Sequence, residues 1–425
     1  MGLGVAANEK IETLAVVGLG YIGLPTAALF SQHVRVIGVD TNAARLEEIA
    51  KGNFNSGEPG LMHMVHEAIK SGSFSVSSEM PDADAYIIAV PTPIGPDKLA
   101  ILDYVYNAVD AISPKLKGGE LIIIESTCPP KTTDAVVRRL ADARPDLRPG
   151  YTELGSETSI RVHVAYCPER ILPGSALEEL KANNRIVGGY TAESAELASE
   201  LYKLICDGNI RTTDAATAEL AKLVENAFRD VNLAFANEVS MVSDELGVDV
   251  WELIALANQH PRVNILNPGA GVGGHCIAVD PWFIVGSASH TNLIETARNV
   301  NDSKPLWVVE KLQERIDAKS YERVALLGLS FKADIDDLRE SPALLVANEL
   351  TERYPTVDFL VVEPHVNSQD LFESRNVRQT SLSDALNSAE LIAILVDHSA
   401  FKTVDWASLG AVSYTHLTLP TIYSV

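Results

Sequence analysis

The chain has 425 residues, 46% of them hydrophobic and 21% charged, and a formal net charge of −23. This length allows two or three domains, while the negative charge opposes binding to nucleic acid or to an anionic membrane surface. The sequence has no apolar run of about 18 residues and no secretory signal at its start, so we expect a cytoplasmic protein without a membrane segment.

Strand-like runs alternate with helix-like segments over residues 11–205, as in TLAVVG, VRVIGVD, DAYIIAV, ELIIIES and RVHVAY. This alternation predicts a parallel sheet covered by helices. From Asp214 to about Asn258 the pattern is helical only, with an interruption near Gly247. After a further helix that ends near Ile316, strand-like runs return as RVALLG, DFLVVE and ELIAILV and indicate a second α/β region.

The predicted fold class is therefore α/β, with two Rossmann-like parallel-sheet domains joined by a long central helical region. We place the domains at residues 1–208, 209–305 and 306–425. Residues 411–425 carry no charge and break the preceding pattern, so we expect a non-native tail, although the alternation in VSYTHLTL could imitate an edge strand.

The segment GLGYIG follows the first strand and opens the first helix, and Asp40 ends the next strand run twenty residues after Gly20. This context is typical of a dinucleotide site rather than of a turn alone. Gly18 would permit the tight turn, Gly20 would admit the pyrophosphate and Gly23 would let helix and strand touch. Asp40 would bind the adenosine ribose and repel a 2′-phosphate, which favours NAD over NADP.

A degenerate repeat links the two α/β regions, because VVGLGYIG aligns with LLGLSFKA. Both segments predict a buried strand that turns into a helix. In the second copy Ser330 replaces Gly20 and Ala333 replaces Gly23. The second copy should therefore bind something other than NAD.

The stretch GVGGHCIAVD places Cys276 after two glycines and His275. Sequence context alone leaves two interpretations about equal: a buried small side chain or a nucleophile. The chain has no CxxC pair and no metal-ligand spacing, and the other close histidines, His63 and His66, are distant in sequence. We expect neither a disulfide nor a metal, and assign a packing role to Cys128, Cys167 and Cys206.

The chain resembles the UDP-sugar 6-dehydrogenase family through motifs in the family's order: GLGYIG, IIESTCPP, AYCPERILPG, AELAKLVENAFRDVNLAFANE, GVGGHCIAVDPWFI and SFKADIDDLRESPA. The likeness runs from residue 11 to about 405, and CPERILPG and VDPWFI resemble members that act on UDP-N-acetylhexosamines. It implies oxidation of a C6 alcohol to a carboxylate with NAD, through a thiohemiacetal and a thioester on Cys276.

Lys222 and Asn226 are spaced i, i+4 and share one face of the central helix. By periodicity alone this face would be solvated. The resemblance instead implies that Lys222 stabilises an oxyanion and lowers the pKa of the Cys276 thiol, with Asn226 assisting. We predict that the opposite face packs through an apolar stripe of Leu220, Val224, Ala227 and Val231.

The resemblance also assigns roles to the remaining polar positions. Asp280 would position or activate water, Glu169 would act as acid and base in thioester hydrolysis, and Thr127 would hold the catalytic water. The implied substrate-binding residues are Glu169, Arg170, Lys222, Asn226, Arg262, Gly273 and Lys332. The cofactor-binding candidates are Gly18, Gly20, Tyr21, Ile22, Gly23, Asp40, Arg45, Thr92, Thr127 and Arg339.

The resemblance further implies a homodimer, in which the long helix packs against its copy and Arg262 reaches across the subunit boundary. Four alternatives stay open. Arg170 and Arg339, each beside a glutamate, could be surface ion-pair partners. The substrate could be another UDP-sugar, or the protein could be a single-hydride dehydrogenase of the β-hydroxyacid type. It could also be an NAD-binding regulator without activity.

Overall fold

The computed structural model describes residues 11–54, 57–149, 160–171, 174–366, 372, 376–406 and 413–414. The chain divides into two compact units, with the boundary between Val224 and Glu225. Each unit contains a parallel or mostly parallel sheet, which confirms the predicted α/β class. Among the described residues, no helix is long and apolar enough to cross a membrane.

The first unit is built on a sheet with strand order β3-β2-β1-β4-β5-β7-β8-β9, and β6 pairs with β7 at the side. All of its pairings are parallel except that of β7 with β8. The strands are β1 (Thr13–Val17), β2 (Arg35–Val39), β3 (Phe74–Ser77), β4 (Ala85–Ile88), β5 (Leu121–Ile124), β6 (Leu147–Pro149), β7 (Ile160–Tyr166), β8 (Arg185–Gly189) and β9 (Ile210–Asp214).

Helices cover both faces of this sheet. Leu14 and Val16 of β1 belong to one hydrophobic core, and Ala15 and Val17 belong to another, because alternate side chains of a strand point to opposite faces. The helices are α1 (Gly23–Phe30), α2 (Ala43–Ala50), α3 (Leu61–Ser71), α4 (Asp103–Ile112), a 3-10 turn (Ser113–Lys115), α5 (Thr132–Ala143), α6 (Ala176–Ala182) and α7 (Ala192–Tyr202).

The predicted helical segment consists of α8 (Ala215–Leu246) and α9 (Val250–Ala257), separated near Gly247 as expected. The predicted packing stripe of α8 was wrong for Leu220 and Val224, although Ala227 is buried as predicted. Lys222 is only 6% exposed, whereas Leu220 and Val224 of the predicted packing stripe are 41% and 47% exposed. The helix is apolar on two faces, and the face that packs carries mostly small side chains, so periodicity could not decide between them. Its buried apolar residues include Ala218, Leu223, Ala227, Ala234 and Ala236.

The second unit contains a parallel sheet with strand order β12-β11-β10-β13-β14. Alternate residues of its central strand enter two hydrophobic cores, as in the first unit. Its strands are β10 (Arg323–Leu327), β11 (Asp358–Val362), β12 (Val377–Gln379), β13 (Leu391–Ile394) and β14 (Ser413–Tyr414). The helices are α10 (Asp280–Val285), α11 (Asn292–Lys319), α12 (Pro342–Arg353), α13 (Leu382–Ser388) and a 3-10 turn (Ser399–Thr403).

Two predictions for this unit need comment. Ser413–Tyr414 of the predicted tail pairs in parallel with β13, as an edge strand, and the rest of that tail lies outside the described residues. The helix predicted directly after β10 was wrong, because α12 begins only at Pro342. Its start is set by Ser341, whose side chain accepts a hydrogen bond from the backbone N–H of Leu344, and by proline at the first helical position.

Candidate active site

The glycine turn after β1 has the shape that a dinucleotide site requires. Gly18 adopts φ +93°, and a Cβ there would lie 2.4 Å from the carbonyl oxygen of Ala89. A Cβ at Gly23 would lie 1.8 Å from the carbonyl oxygen of Gly18. At Gly20 a Cβ would meet no atom within 4 Å, so the space above this residue is open. The turn therefore fits a pyrophosphate that approaches the backbone at Gly20.

Asp40, at the end of β2, is held against the same turn. Its carboxylate accepts hydrogen bonds from the backbone N–H of Leu19 and of Asn42, each at 2.9 Å. Arg45 on α2 donates from Nε to the carbonyl oxygen of Leu19 at 3.4 Å. Tyr21 of the turn is 43% exposed. The structure thus brings the first predicted cofactor residues together at one edge of the sheet.

The segments that follow β4 and β5 meet at this edge. The Thr92 hydroxyl donates to the carbonyl oxygen of Thr127 at 2.7 Å, and the Ser126 hydroxyl accepts from the backbone N–H of Val90 at 2.9 Å. Ligands of parallel α/β sheets bind at the carboxyl ends of the strands. Thr92 and Thr127 therefore both lie at this edge of the sheet.

Glu169 follows β7 and is almost completely buried. One carboxylate oxygen accepts the backbone N–H of Arg170 at 2.6 Å, and the other lies 3.0 Å from the guanidinium of Arg185. The Arg170 guanidinium donates to the carbonyl oxygen of Asn184. Sequence reasoning missed Arg185, which precedes no motif and lies 16 residues after Glu169.

Asn226 on α8 and Asp280 at the start of α10 form a hydrogen-bonded pair. The Asn226 amide donates to the Asp280 carboxylate at 2.5 Å, and Asp280 is 3% exposed. The backbone N–H of Asp280 donates to the carbonyl oxygen of Cys276 at 2.8 Å, which ties the pair to the cysteine loop. Lys222 lies one helical turn before Asn226 and is buried rather than solvated.

Cys276 differs from the other cysteines. It is exposed, whereas Cys128, Cys167 and Cys206 are buried as predicted. Burial raises the pKa of the Cys128 thiol, and that of Cys167 to about 12, so these thiols are inert near neutral pH. The Arg339 guanidinium is close enough to Cys276 for the two to interact electrostatically, although the pKa of Arg339 is raised mainly by its hydrogen bonds to Asp337.

The glycines before Cys276 allow its loop to pack tightly. A Cβ at Gly273 would lie 2.4 Å from the carbonyl oxygen of Glu340, and Gly274 adopts φ +83° against the ring of Phe331. These contacts place the cysteine loop against the segment that joins β10 to α12. The same segment carries Lys332, which is exposed, and Arg339, whose side chain forms an ion pair with Asp337 at 2.6 Å. Arg262 is exposed in the segment after α9.

A buried polar network between α8 and α11 anchors the start of this loop, and no sequence motif predicted it. The backbone N–H of Gly269 donates to Asn237 at 2.9 Å, and the Asn237 amide donates to Asn301 at 2.8 Å. Arg298 pairs with Asp230 at 2.5 Å in the same buried space. These contacts hold α8, α11 and the start of the loop in one arrangement.

Three side chains at the carboxyl ends of β10, β11 and β13 have the composition of a metal site, which the sequence did not predict. Ligand atoms of Asp334, His365 and His398 all lie within 4.8 Å of one another. However, His398 Nδ1 already accepts the backbone N–H of Asp334 at 3.0 Å, and Asp334 accepts from the backbone and hydroxyl of Ser399 at 2.9 and 3.0 Å. These atoms hold the turn after β10.

The sequence matches three domains of the UDP-glucose/GDP-mannose dehydrogenase family: the NAD binding domain over residues 12–206, the central domain over 216–303 and the UDP binding domain over 325–422. The last match runs beyond residue 405, where the recognised motifs end. A glycine turn open to a pyrophosphate, together with these matches, defines an NAD-dependent dehydrogenase. The chain belongs to the UDP-glucose/GDP-mannose dehydrogenase family.

Similar proteins cover nearly the whole chain. The chain is 48% identical to a UDP-N-acetyl-D-mannosamine dehydrogenase of Campylobacter jejuni, over 93% of this chain and 98% of that protein. It is also 48% identical to an NDP-N-acetyl-D-galactosaminuronic acid dehydrogenase of Ralstonia nicotianae, over 94% of each. The solved UDP-N-acetyl-mannosamine dehydrogenase of S. aureus is 39% identical, with a TM-score of 0.82, over 97% of this chain and 96% of that one.

Proposed function

We propose that the protein oxidises the C6 alcohol of a UDP-N-acetylhexosamine, UDP-N-acetyl-D-mannosamine in particular, to the carboxylate, and that the product serves surface polysaccharide synthesis. The observation that carries the chemistry is the exposure of Cys276 while the other cysteines are buried. The names of the similar proteins support the substrate class. In each of two successive oxidations, bound NAD would accept a hydride from C6.

The Cys276 thiolate supports the second oxidation. Its sulfur would add to the C6 aldehyde and give a thiohemiacetal, whose oxidation leaves a thioester. Water then attacks the thioester carbonyl, the sulfur leaves, and the sugar carboxylate is released. The covalent sulfur keeps the aldehyde from escaping between the two oxidations. The exposed Cys276 and the nearby Arg339 are consistent with a thiolate at this position.

Four side chains would assist this sulfur chemistry. The Lys222 ammonium would stabilise the oxyanions of the alkoxide and of the tetrahedral species, since a buried cation acts more strongly than one in water. Asn226 would assist it, held by the hydrogen bond to Asp280. Glu169 would take a proton from the attacking water and return it to the departing sulfur. Thr127 would hold that water.

The cofactor and substrate would use separate sets of residues. Gly18, Gly20 and Gly23 would hold the NAD pyrophosphate and Asp40 the adenosine ribose. Tyr21, Ile22, Arg45, Thr92, Thr127 and Arg339 complete the proposed cofactor set. Cations would bind the substrate diphosphate against the negative charge of the protein. They are Lys332, Arg170 and Arg262, with Gly273 next to the sugar.

We also propose the three-domain division, with NAD bound by residues 1–208, dimerisation and catalysis in 209–305 and the UDP-sugar bound by 306–425. A homodimer is supported by the apolar side chains left exposed on α8, where Phe228, Phe235 and Leu246 are 71%, 54% and 70% exposed. A second copy of α8 would cover them. Replacing both phenylalanines by serine should give a monomer in sedimentation equilibrium, whereas an unchanged dimer would contradict this arrangement.

The experiment that tests the function is a stoichiometry. Limiting UDP-N-acetyl-D-mannosamine is converted completely with excess NAD, in parallel with UDP-N-acetylglucosamine, UDP-N-acetylgalactosamine and UDP-glucose. We expect two NADH per sugar, and the fastest turnover with the mannosamine. One NADH per sugar would contradict the thioester route and favour a single-hydride dehydrogenase, and faster turnover of another UDP-sugar would correct the substrate.

A cysteine variant provides the matched control. Cys276→Ala should lower turnover to the carboxylate by at least about 100-fold, because the second oxidation loses its nucleophile. Cys206→Ala, at a buried cysteine, should leave turnover within about twofold of the wild type. Full activity in Cys276→Ala would exclude covalent catalysis at this thiol.

A further inference from the structure

A second carboxyl group lies buried next to Glu169 in the first unit. Glu125 directly follows β5, and its side chain is completely inaccessible to solvent. The Tyr202 hydroxyl donates to one of its carboxyl oxygens at 2.8 Å, and the Thr26 hydroxyl lies 3.4 Å from the other. Glu125 therefore has a defined orientation on the inner side of the site.

Arg185 stands between the two carboxyl groups. Its Nη1 atom lies 3.0 Å from Oε2 of Glu169 and 4.0 Å from Oε1 of Glu125. Its guanidinium stacks over the ring of Tyr202 at 4.7 Å, and Nη2 donates to the carbonyl oxygen of Leu180 at 3.4 Å. Arg185 itself is only 4% exposed. The geometry of the cation is therefore fixed by contacts on several sides.

The charges of this group do not balance if every side chain is ionised. The guanidinium stays protonated at all relevant pH values, so it can neutralise one carboxylate but not both. Glu169 is closer to the cation than Glu125 and accepts a backbone N–H as well, so it is the carboxylate that pairs with Arg185. Burial, and secondly the charge of Glu169, raise the pKa of Glu125 to about 7. The neighbouring Cys167 thiol stays neutral in this range, because burial raises its pKa to about 12. Glu125 is thus the member of the group that holds a proton at and below neutral pH.

We infer that Arg185 and Glu125 are positioning residues for Glu169 in thioester hydrolysis: Arg185 orients the Glu169 carboxylate, and the charge state of Glu125 sets the electrostatic field at this carboxylate. This inference rests on the proposed function. Glu125 makes and breaks no bond with the substrate. During hydrolysis the proton of the attacking water moves to Glu169 and then to the departing sulfur of Cys276. When Glu125 is ionised, its negative charge attracts the proton that moves from the water to Glu169, and hydrolysis is faster.

The alternative is a purely structural role, in which Arg185, Glu169 and Glu125 form a buried ion pair that only stabilises the fold. The two roles predict different behaviour with pH. A structural pair would affect stability and leave the pH dependence of hydrolysis unchanged. A tuning role requires that hydrolysis accelerate as Glu125 loses its proton, above about pH 7.

The test uses Glu125→Gln, which keeps the shape and the oxygen acceptor for the hydroxyls of Tyr202 and Thr26. The UDP-sugar 6-aldehyde and NAD are mixed with the full-length protein, and the thioester on Cys276 is followed by intact mass. Near pH 6 the variant should hydrolyse its thioester as fast as the wild type. Near pH 9 it should hydrolyse about threefold more slowly and accumulate the thioester, since it lacks the added charge.

Glu120→Gln is the matched control, because Glu120 precedes β5 as Glu125 follows it. It is 7% exposed and accepts the backbone N–H groups of Lys117 and Gly118 at 2.6 and 2.8 Å. The rate of thioester hydrolysis in Glu120→Gln should depend on pH as it does in the wild type. Arg185→Lys keeps the charge but loses the planar set of N–H donors that orients Glu169. This variant should hydrolyse the thioester more slowly at every pH and bind NAD with unchanged affinity.

Infrared spectra give a readout that does not need turnover. The wild type should show the band of a protonated carboxyl that disappears with a midpoint near pH 7, and Glu125→Gln should lack it. If the wild type forms two NADH per sugar but Glu125→Gln hydrolyses its thioester with the same pH profile as the wild type, this inference alone is overturned. Retention of the infrared band in the variant would have the same consequence. One NADH per sugar from the wild type would overturn the proposed function and this inference together.

Discussion

The turns after β1 and β10 have the same backbone conformation, but the space that they enclose is open in the first and filled in the second. Gly18 and Gly328 adopt φ +93° and +87°, and each donates its N–H to the last residue of the neighbouring strand, Val39 or Val362, at 2.8 Å. A carboxylate after that strand caps each turn. Asp40 accepts the N–H of Leu19, and Glu363 accepts the N–H groups of Leu329 and Ser330.

The two turns differ at the position of Gly20 in the first turn and Ser330 in the second. Gly20 faces open space, whereas Ser330 is fully buried and its hydroxyl donates to the carbonyl oxygen of Lys332 at 2.8 Å. The first turn leads directly into α1, but the second continues as a loop to Pro342. The two turns show that the backbone of a dinucleotide site can persist after the room for a pyrophosphate has been filled.

The largest effect should come from the glycine that both turns share. A Cβ at Gly18 would lie 2.4 Å from the oxygen of Ala89, and one at Gly328 would lie 2.6 Å from the Val396 side chain. Gly18→Ala and Gly328→Ala should each lower the free energy of unfolding of their own unit by about 3 kcal/mol in urea titrations. If one variant is unaffected, the two backbones are not equivalent.

The next effect should separate the turns. Gly20→Ala should weaken NAD binding about 30-fold in calorimetric titrations, because the new methyl occupies the approach of the pyrophosphate. The stability should not change, since a Cβ there meets no atom within 4 Å. Ser330→Ala, the matched change, should lose about 1 kcal/mol of stability through its hydrogen bond and leave NAD binding unchanged. Weaker NAD binding in Ser330→Ala would contradict the assignment of the two turns.

The capping carboxylates should differ in cofactor choice. Asp40→Asn keeps an acceptor for the N–H of Leu19 but removes the charge that repels a 2′-phosphate. The preference for NAD over NADP, measured as the ratio of kcat/KM, should fall about tenfold. Glu363→Gln should leave this ratio as it is in the wild type. An unchanged ratio in Asp40→Asn would mean that another residue selects the cofactor.

The smallest effect should be acid sensitivity of the second turn. Burial raises the pKa of Glu363. Hydrogen bonds from His398 and from the backbone of His365 and Leu329 outweigh burial and leave this pKa below its ordinary 4.5. The unfolded chain therefore binds this proton more readily, so the stabilisation is complete above pH 4.5 and is lost as the pH falls through the lowered pKa. Urea titrations at decreasing pH should show this loss, and Glu363→Gln should remove it. The same acid dependence in that variant would assign it to another group.

Much of the fold and part of the site could be predicted from local pattern. Gly18, Gly20, Gly23 and Asp40 lie where a dinucleotide turn requires them, because one strand, one turn and one helix define that motif. The role of Arg185 could not be predicted, because it depends on contacts with Glu169 and Glu125, which follow other strands. Such partners carry no spacing signal in the chain.

The orientation of α8 shows the same limit. Its periodicity is helical in sequence and structure, but the predicted packing face was wrong for Leu220 and Val224, and Lys222 is buried. A helix with two apolar faces can pack through either, and the choice depends on the shape of its neighbours. The second turn likewise delays its helix to Pro342, because the cap at Ser341 decides where α12 begins.

Local sequence pattern was enough to predict most strands and helices, the glycine turn that suits NAD, and the family, because each depends on neighbours within one or two elements. The folded structure was needed to show that Cys276 reaches solvent, which face of α8 is buried and which carboxyl group shares Arg185 with Glu169. Those properties depend on burial and on partners far apart in the chain, which local pattern does not encode.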